Sequence, residues 1–436
     1  ERQDILGDLT KGEKTVEIRV ATKSNAAFDQ TTGRPLPGNY AAVAALLKIE
    51  DKSGEVIMYP TSCGKWISKN NNESAWKSSK IVGELNDPKF GLDPGPLSQS
   101  ASLFRKEFEL NKGIESARLY ITALGSYRFF VNGERVGKDV LTPEFTNYDS
   151  RIVYQTYDIT ELLNKGANAA GAILGDGWYG SPLGWNGEYD LWGPGPNMFL
   201  AEIHVKYKNG AIAKIITDNT WKVHRSPILK SEIYSGEYYD SRLEQEGWKT
   251  TGFSGVNWSF ADVQNYNYNL LSPQVNTPVR IIKTVNPKHI HKTTDGRWII
   301  DMGQNLVGWP ELKVNGEEGT VIKMRFSEIL SSADSLYVDN LRNATASNTY
   351  VLKGSVEEVY VPHFTFHGFR YVEVTGYPGQ LTSDAIVAEV ISSVENPTGT
   401  IHTSDTLLNR MYDLGIWGQR SNFISVPTDC PQRDER

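Results

Sequence analysis

Hydrophobic residues alternate with polar ones through most of the first 395 positions. Ile322, Met324 and Phe326 are separated by Lys323 and Arg325, a period of two that predicts a strand with one buried face. Ala201, Ile203, Val205 and Tyr207 alternate in the same way with Glu202, His204, Lys206 and Lys208, and Asn209-Gly210 then supplies a hairpin turn. Leu119, Ile121 and Ala123 begin a further strand, and Val131–Val136 reads as a tight hairpin through Asn132-Gly133. Turn signals recur about every ten residues with no helical period between them, which favours antiparallel sandwiches over a parallel sheet. The stretch Ala45–Gly54, leading to Trp66, echoes Leu200–Gly210, leading to Trp221, as two sheets built on similar hairpins would.

The texture changes at Asn396-Pro397-Thr398-Gly399. Ser404 offers an N-cap and Asp405 an acid for the first turn, and Leu407, Leu408, Met411 and Leu414 follow at helical spacing. A β-rich front therefore leads into an α-helical domain of which only the opening is expected here.

Length and composition narrow the class. At 436 residues the chain is too long for one core and fits about three domains. Apolar content of 39% with 22% charged residues describes an ordinary globular protein. The net charge is −7 with no basic run, which excludes nucleic acid and an anionic membrane surface as partners. Tyr40–Leu47, the longest apolar stretch, is far short of the ~20 residues that span a bilayer. With neither a Met start nor a charged-then-apolar leader, a signal peptide has been removed or was never there. Cys63 and Cys430 are the only cysteines, so no disulfide framework reports on the compartment. Cys430 reads as a small buried filler, because no His lies nearby in sequence to activate it.

The chemistry concentrates in the last eight residues, Asp429-Cys430-Pro431-Gln432-Arg433-Asp434-Glu435-Arg436. Three carboxylates are interleaved with two guanidinium groups. Carboxylates accept hydrogen bonds from sugar hydroxyls, Arg orients a neighbouring acid, and a protonated acid can protonate a leaving oxygen. Other signals carry less. Gly175-Asp176-Gly177-Trp178-Tyr179-Gly180 satisfies a dinucleotide-binding pattern, but Ser181-Pro182-Leu183-Gly184 follows where that motif needs a helix. Trp178, Tyr179, Trp185, Tyr189 and Trp192 cluster in a Gly- and Pro-rich loop, where packing is the better reading and sugar stacking the alternative. His289 with His291, and His363 with His367, read as paired surface or interface histidines. No metal or cofactor is expected, since no Cys or carboxylate ligands stand at tight spacing beside them.

The segment Trp417–Arg436 resembles the start of the catalytic domain of bacterial α-L-rhamnosidases. Earlier blocks resemble the accessory domains of the same family. They include Leu103–Phe108, Ala117–Gly125, Asp139–Pro143, Leu174–Tyr179, Gly236–Arg242, Asp301–Trp309 and Phe364–Val374. The likeness covers roughly residues 100 to 436. It implies a mainly β chain of tandem antiparallel β-sandwich or jelly-roll modules, followed by the first helix of an (α/α)6 barrel. The expected domains are a β-rich segment 1–100, a jelly-roll sandwich 101–272, a second sandwich 273–395, and the start of the catalytic domain at 396–436. The resemblance implies inverting hydrolysis by two carboxylates. Glu435 matches the general acid, while Asp429, Arg433 and Asp434 fall where the family lines the subsite for the terminal sugar. The base is implied to be a Glu much further along the barrel, so this chain alone is expected to be inactive. The implied partner is a rhamnose-containing glycoside or polysaccharide, and the implied compartment is periplasmic or extracellular, with the cytoplasm as the alternative. The competing expectation is a set of non-catalytic carbohydrate-binding or scaffold modules.

Overall fold

The computed structural model describes residues 101–183, 192–193, 196–342, 344–354, 356–395 and 398–433, and backbone strand pairing at four short segments before residue 79. The chain divides into two units, Glu1–Pro94 and Gly95–Arg436. In the first, Leu46–Glu50 pairs antiparallel with Val56–Pro60, and Ile67–Ser68 pairs with Lys77–Ser78.

Alternation turns into sheet throughout the second unit. The strands Ser102–Leu110 (β1), Ile114–Leu124 (β2), Ser126–Val131 (β3), Ile152–Asp158 (β4), Gly166–Gly175 (β5) and Met198–Tyr207 (β6) build two facing sheets. One, of six described strands, runs 259–260, 222–225, β1, β5, β3, 134–135; the other, of five, runs 212–216, β6, β2, β4, 271–273. Leu119, Ile121, Ile203 and Val205 of the second sheet bury against Phe129, Val131, Ala170 and Ala172 of the first, with Trp221 closing the layer. The β3 hairpin turns through Asn132 and Gly133, whose φ angles of 51° and 91° give the turn that follows the twist of the flanking strands. Gly210 (φ 81°) turns β6 into 212–216, so both halves of the sequence echo form hairpins.

A larger sheet follows, built from Ile228–Glu232 (β7), Gly236–Asp240 (β8), Arg280–Val285 (β9), Trp298–Val314 (β10), Val321–Ser327 (β11), Ser347–Val351 (β12), His367–Thr375 (β13) and Ile386–Ser392 (β14). Its order is β7-β8-β12-β11-β13-β10-β14-β9, with 289–292 and 358–360 also paired to β10. It closes on a core that includes Ile300, Met324, Phe326, Phe369, Val372 and Val390. Pairing is antiparallel except between β8 and β12 and between 271–273 and β4, which are parallel. The hairpin β7–β8 leaves the first pair of sheets to join this one, and the chain then returns to complete them at 259–260 and 271–273. Strand β10 shifts register between Asp301 and Leu306, which lets one strand serve β13 along its first half and β14 along its second.

The one long helix among the described residues is Thr406–Asn422 (α1). Its N-cap is Asp405 rather than the expected Ser404: the Asp405 carboxylate accepts from the amides of Leu407 and Leu408 at 2.8 and 3.3 Å. Thr403 is held by Asn409, whose Oδ1 accepts from the Thr403 amide at 2.8 Å, so the chain enters one residue later than composition suggests. Leu407, Leu408, Met411 and Leu414 form the expected stripe, and all four are more than half exposed.

Gly308, where β10 passes from one partner to the other, has φ 150°, and a Cβ there would stand 1.9 Å from the backbone oxygen of Glu389. Alanine therefore meets both an unfavourable backbone region and an immovable atom. Gly308→Ala is expected to cost about 2–4 kcal/mol of stability in chemical denaturation, whereas Gly399→Ala, with open space around its Cβ position, should shift the curve by under ~0.5 kcal/mol.

Candidate active site

The acidic motif is reached through a short, heavily tied segment. Helix α1 ends at Asn422, and Phe423–Ile424 doubles back to pair with Val426–Pro427 around Ser425, whose φ is 72°. Backbone and side-chain bonds fasten this turn to the end of β14. The Ser393 amide donates to Phe423 O at 2.8 Å, the Ser425 amide donates to Ser393 Oγ at 3.1 Å, and Ser392 Oγ donates to Arg420 O at 2.8 Å. From the other side the Phe145 amide donates to Ser425 Oγ at 3.3 Å. Ile424 is fully buried among Val140, Trp178, Val307, Trp309, Phe366 and Ile391. Trp417 of α1 donates its indole N–H to Asn305 O at 2.6 Å and lies under the Lys283 ammonium.

Beyond this anchor the chain rises to the surface and returns. Thr428 is buried and its amide donates to Asn422 O at 2.7 Å. Asp429 is exposed. The Arg433 amide donates to Cys430 O at 3.2 Å, closing a turn from Cys430 to Arg433 that Asp429 immediately precedes. Cys430 is half-exposed, not the buried filler the sequence suggested, because its Sγ is used in this turn: it donates to Arg433 O at 3.0 Å. Partial burial and the adjacent Asp429 carboxylate push its thiol up to about 11, so it stays protonated and is a poor nucleophile. Pro431 and Gln432 then pass directly over Gly368 of β13, where a Cβ would stand 2.8 Å from Gln432 N and 3.0 Å from Pro431 C. Of the expected site residues, Asp429 precedes this turn and Arg433 ends it, Cys430 Sγ reaching Asp429 Oδ2 at 3.3 Å and Arg433 O at 3.0 Å; Asp434 and Glu435 lie outside the described residues.

Other candidates resolve as packing. Trp178 and Tyr179 are buried, and Trp192 packs edge-on to Phe145 at 5.3 Å; Trp185 and Tyr189 lie outside the described residues. One helical turn, Gly177–Gly180, sits inside the Gly-rich pattern, but Ser181 is already extended, so no helix opens at Gly180, where the dinucleotide-binding pattern needs one. Asp176 is buried, accepting from Asn197 Nδ2 at 2.7 Å, and burial raises its carboxyl well above the usual range. His289 and His291 share a face with ring centroids 5.5 Å apart. The expectation of a surface or interface pair at His363 and His367 is not met, because the two rings pack against different partners. His363 lies flat against Tyr239, its Nδ1 3.2 Å from a Glu237 carboxylate oxygen. His367 stacks on Phe326 at 4.2 Å and lies 3.1 Å from Asn348 Oδ1. Each imidazole points into a different buried polar pocket, an arrangement that spacing alone does not reveal. Among the described residues no group of three His, Cys, Asp or Glu could hold a metal ion.

The comparisons with known proteins follow the same order along the chain. Residues 112–283 match the α-L-rhamnosidase N-terminal domain, 291–392 the bacterial α-L-rhamnosidase concanavalin-like domain, and 396–436 the bacterial α-L-rhamnosidase six-hairpin glycosidase domain. The chain belongs to the bacterial α-L-rhamnosidase family. An α-L-rhamnosidase of Streptomyces avermitilis is 39% identical over 99% of this chain and 42% of its own length, and one from Formosa agariphila is 40% identical over 84% and 40%. Among solved structures, the Aspergillus terreus α-L-rhamnosidase superposes with a TM-score of 0.75 at 37% identity, covering 78% of this chain and 40% of that one. The S. avermitilis enzyme complexed with L-rhamnose gives 0.74 at 35% identity, covering 90% and 39%. The chain thus spans about two fifths of the length of the curated relatives it matches.

The sequence blocks around Gly308 and Gly368 carry the family likeness without disclosing their roles; the sheet register does so. Behind Gly368, His367 is forced neutral, burial lowering it from its ordinary value to about 3. A histidine that is harder to protonate when folded lets the unfolded chain take up more protons below pH ~6.5. Its contribution is therefore complete above that pH and lost as pH falls toward 3. The buried carboxyls of Asp176 and Glu144, both raised, act in the opposite sense, so the informative quantity is a difference between proteins. His367→Phe, which keeps the ring on Phe326, should remove a slope approaching ~1.4 kcal/mol per pH unit from the fall in stability between pH 6 and 4, measured by urea unfolding across that range. Identical slopes in the two proteins would mean that His367 is protonated in the fold.

Proposed function

We propose that this chain forms the accessory modules and the opening of the active site of an inverting α-L-rhamnosidase, which removes terminal α-L-rhamnose from glycosides or polysaccharides. The observation that supports this reading is the Cys430–Arg433 turn, preceded by Asp429 and lying against Gly368 of the large sheet, with the family's three domain matches in tandem along the chain. In this reading Glu435 protonates the glycosidic oxygen as the bond to the anomeric carbon breaks, and Asp429, Arg433 and Asp434 hold the sugar ring. Inversion needs a second carboxylate roughly 6.5–9.5 Å from the acid, leaving room for a water on the opposite face; no residue between 101 and 433 is assigned that role. The working partition is 1–100, 101–272, 273–395 and 396–436. Within it the sandwiches act as a buttress for the catalytic domain, a role favoured over independent sugar binding by the burial of Trp178 and Tyr179. The substrate would be met in the periplasm or outside the cell. No helix among the described residues is long and apolar enough to cross a membrane.

The division of labour is testable in the protein at its full open reading frame. Glu435→Gln should lower turnover by roughly 10²–10⁴ on rhamnosides with poor leaving groups while sparing activated aryl rhamnosides, whose leaving group departs without protonation. Asp429→Asn should weaken kcat/KM on both substrate types to a similar extent, since a contact to the sugar serves every leaving group. Equal damage to both substrate types by Glu435→Gln would move the acid role to Asp434.

A further inference from the structure

The large sheet has two faces, and β13 shows each to a different part of the molecule. His367 and Phe369 point into the core against Phe326. Gly368 points the other way, beside Val307 in the β10 register, on the face that receives Ile424. At this one position the motif's backbone comes within the space a methyl group would fill. The three nearest atoms are Gln432 N at 2.8 Å, Pro431 C at 3.0 Å and Gln432 Cα at 3.1 Å. All three are backbone or backbone-bonded atoms of a segment that is tied again at Cys430–Arg433, so no flexible side chain can swing aside to relieve a clash. The motif is thus held at two points, Ile424 sunk in the core and Pro431–Gln432 resting on the bare strand. Asp429 stands on the arch between them.

We infer that Gly368 is a positioning residue for the sugar site: the absence of its side chain sets the height at which the Pro431–Gln432 backbone lies, and so where Asp429 and Arg433 stand. The second sandwich is then the floor of the active site, and not only its neighbour. A methyl at residue 368 lifts one foot of the arch while Ile424 holds the other, tilting the Asp429 and Arg433 pair without touching either. The inference deepens the rhamnosidase reading and rests on it for its activity arm only.

The experiment compares Gly368→Ala with Gly399→Ala, whose Cβ position meets nothing within 4 Å, in the full open reading frame with every cysteine other than Cys430 replaced by serine as background. Cys430, whose Sγ closes the arch, reports displacement through its rate of maleimide labelling, independently of any activity. Gly368→Ala should change that rate at least ~3-fold and lower kcat/KM by roughly 10–100-fold, equally for activated and unactivated rhamnosides, with a thermal midpoint close to that of the parent. Gly399→Ala should change neither. An unchanged labelling rate in a folded Gly368→Ala protein overturns the inference, whether or not activity falls. A changed rate in a parent protein that hydrolyses no rhamnoside would leave the positioning intact and overturn the proposed activity instead. If Gly368→Ala fails to fold, Ile424→Val loosens the other foot of the arch by removing a single methylene from the core. It should likewise change Cys430 labelling, and an unchanged rate there overturns the two-point arch.

Discussion

Burial of Ile424 is the interaction on which the candidate site depends. Its side chain is fully enclosed by residues from both parts of the second unit. Val140, Leu141 and Trp178 come from the region of the first two sheets, and Val307, Trp309 and Ile391 from the large one. Enclosing an isoleucine this way is worth about 1.5–3 kcal/mol, enough to offset the strain at the next residue. Ser425 must turn left-handed at φ 72°, a conformation that costs a non-glycine residue roughly 1–2 kcal/mol. Three hydrogen bonds gathered at this turn, through Ser393 and Phe145, leave its backbone little freedom. The direction in which the acidic motif departs is therefore decided by apolar packing below it, before any charge comes into play.

Helix α1 shows the same dependence from its other end. Its cap is sound, and Trp417 and Arg420 tie its C-terminal half to Asn305 and Ser392, yet no residue of the helix is fully buried. Leu407, Leu408, Met411 and Leu414 are more than half exposed, and the bonds that tie the helix to the large sheet lie in its C-terminal half, next to the motif. Asp405 and the Thr403–Asn409 bonds hold its first turn.

The strands were legible because burial on one face imposes a period of two, and the residues at 201–207 and 322–326 fall on the faces their alternation predicts. Hairpins were legible at Asn132-Gly133 and Asn209-Gly210 because positive φ selects those residue types. Pairing between distant strands was not. The excursion of Ile228–Asp240 into the large sheet, and its parallel contact with Ser347–Val351, depend on register between segments more than a hundred residues apart, which leaves no local mark. The helix cap moved by one residue because Ser404 and Asp405 are both competent, and the choice was made by where Thr403 could reach Asn409. His363 and His367 misled for a related reason: their spacing suits a shared strand face, but His363 precedes the strand that begins at His367, and each ring found its own partner. At the candidate site, the residue types of Asp429 and Arg433 are what suggested sugar chemistry. The glycine beneath them carried no chemical signal, because its contribution is an empty volume.

That asymmetry has a physical consequence. Asp429 is exposed, as the proposed contact with a sugar requires, and so is not locked by burial of its own side chain. Its placement has to come from the backbone on either side. Six residues separate Ile424 from Pro431, and within them Thr428 is buried and bonded to Asn422 while Cys430 is bonded to Arg433. So short a span, held at both ends and twice between, has few conformations left to lose when a ligand arrives. The ordering cost that a loop normally incurs on binding is met when the protein folds. Misplacement by an ångström can cost a reaction about a hundredfold, so under the proposed activity the accessory sheet would be coupled to catalysis without contributing a reacting atom: its apolar surface and one missing side chain would set the geometry that exposed charges cannot set for themselves.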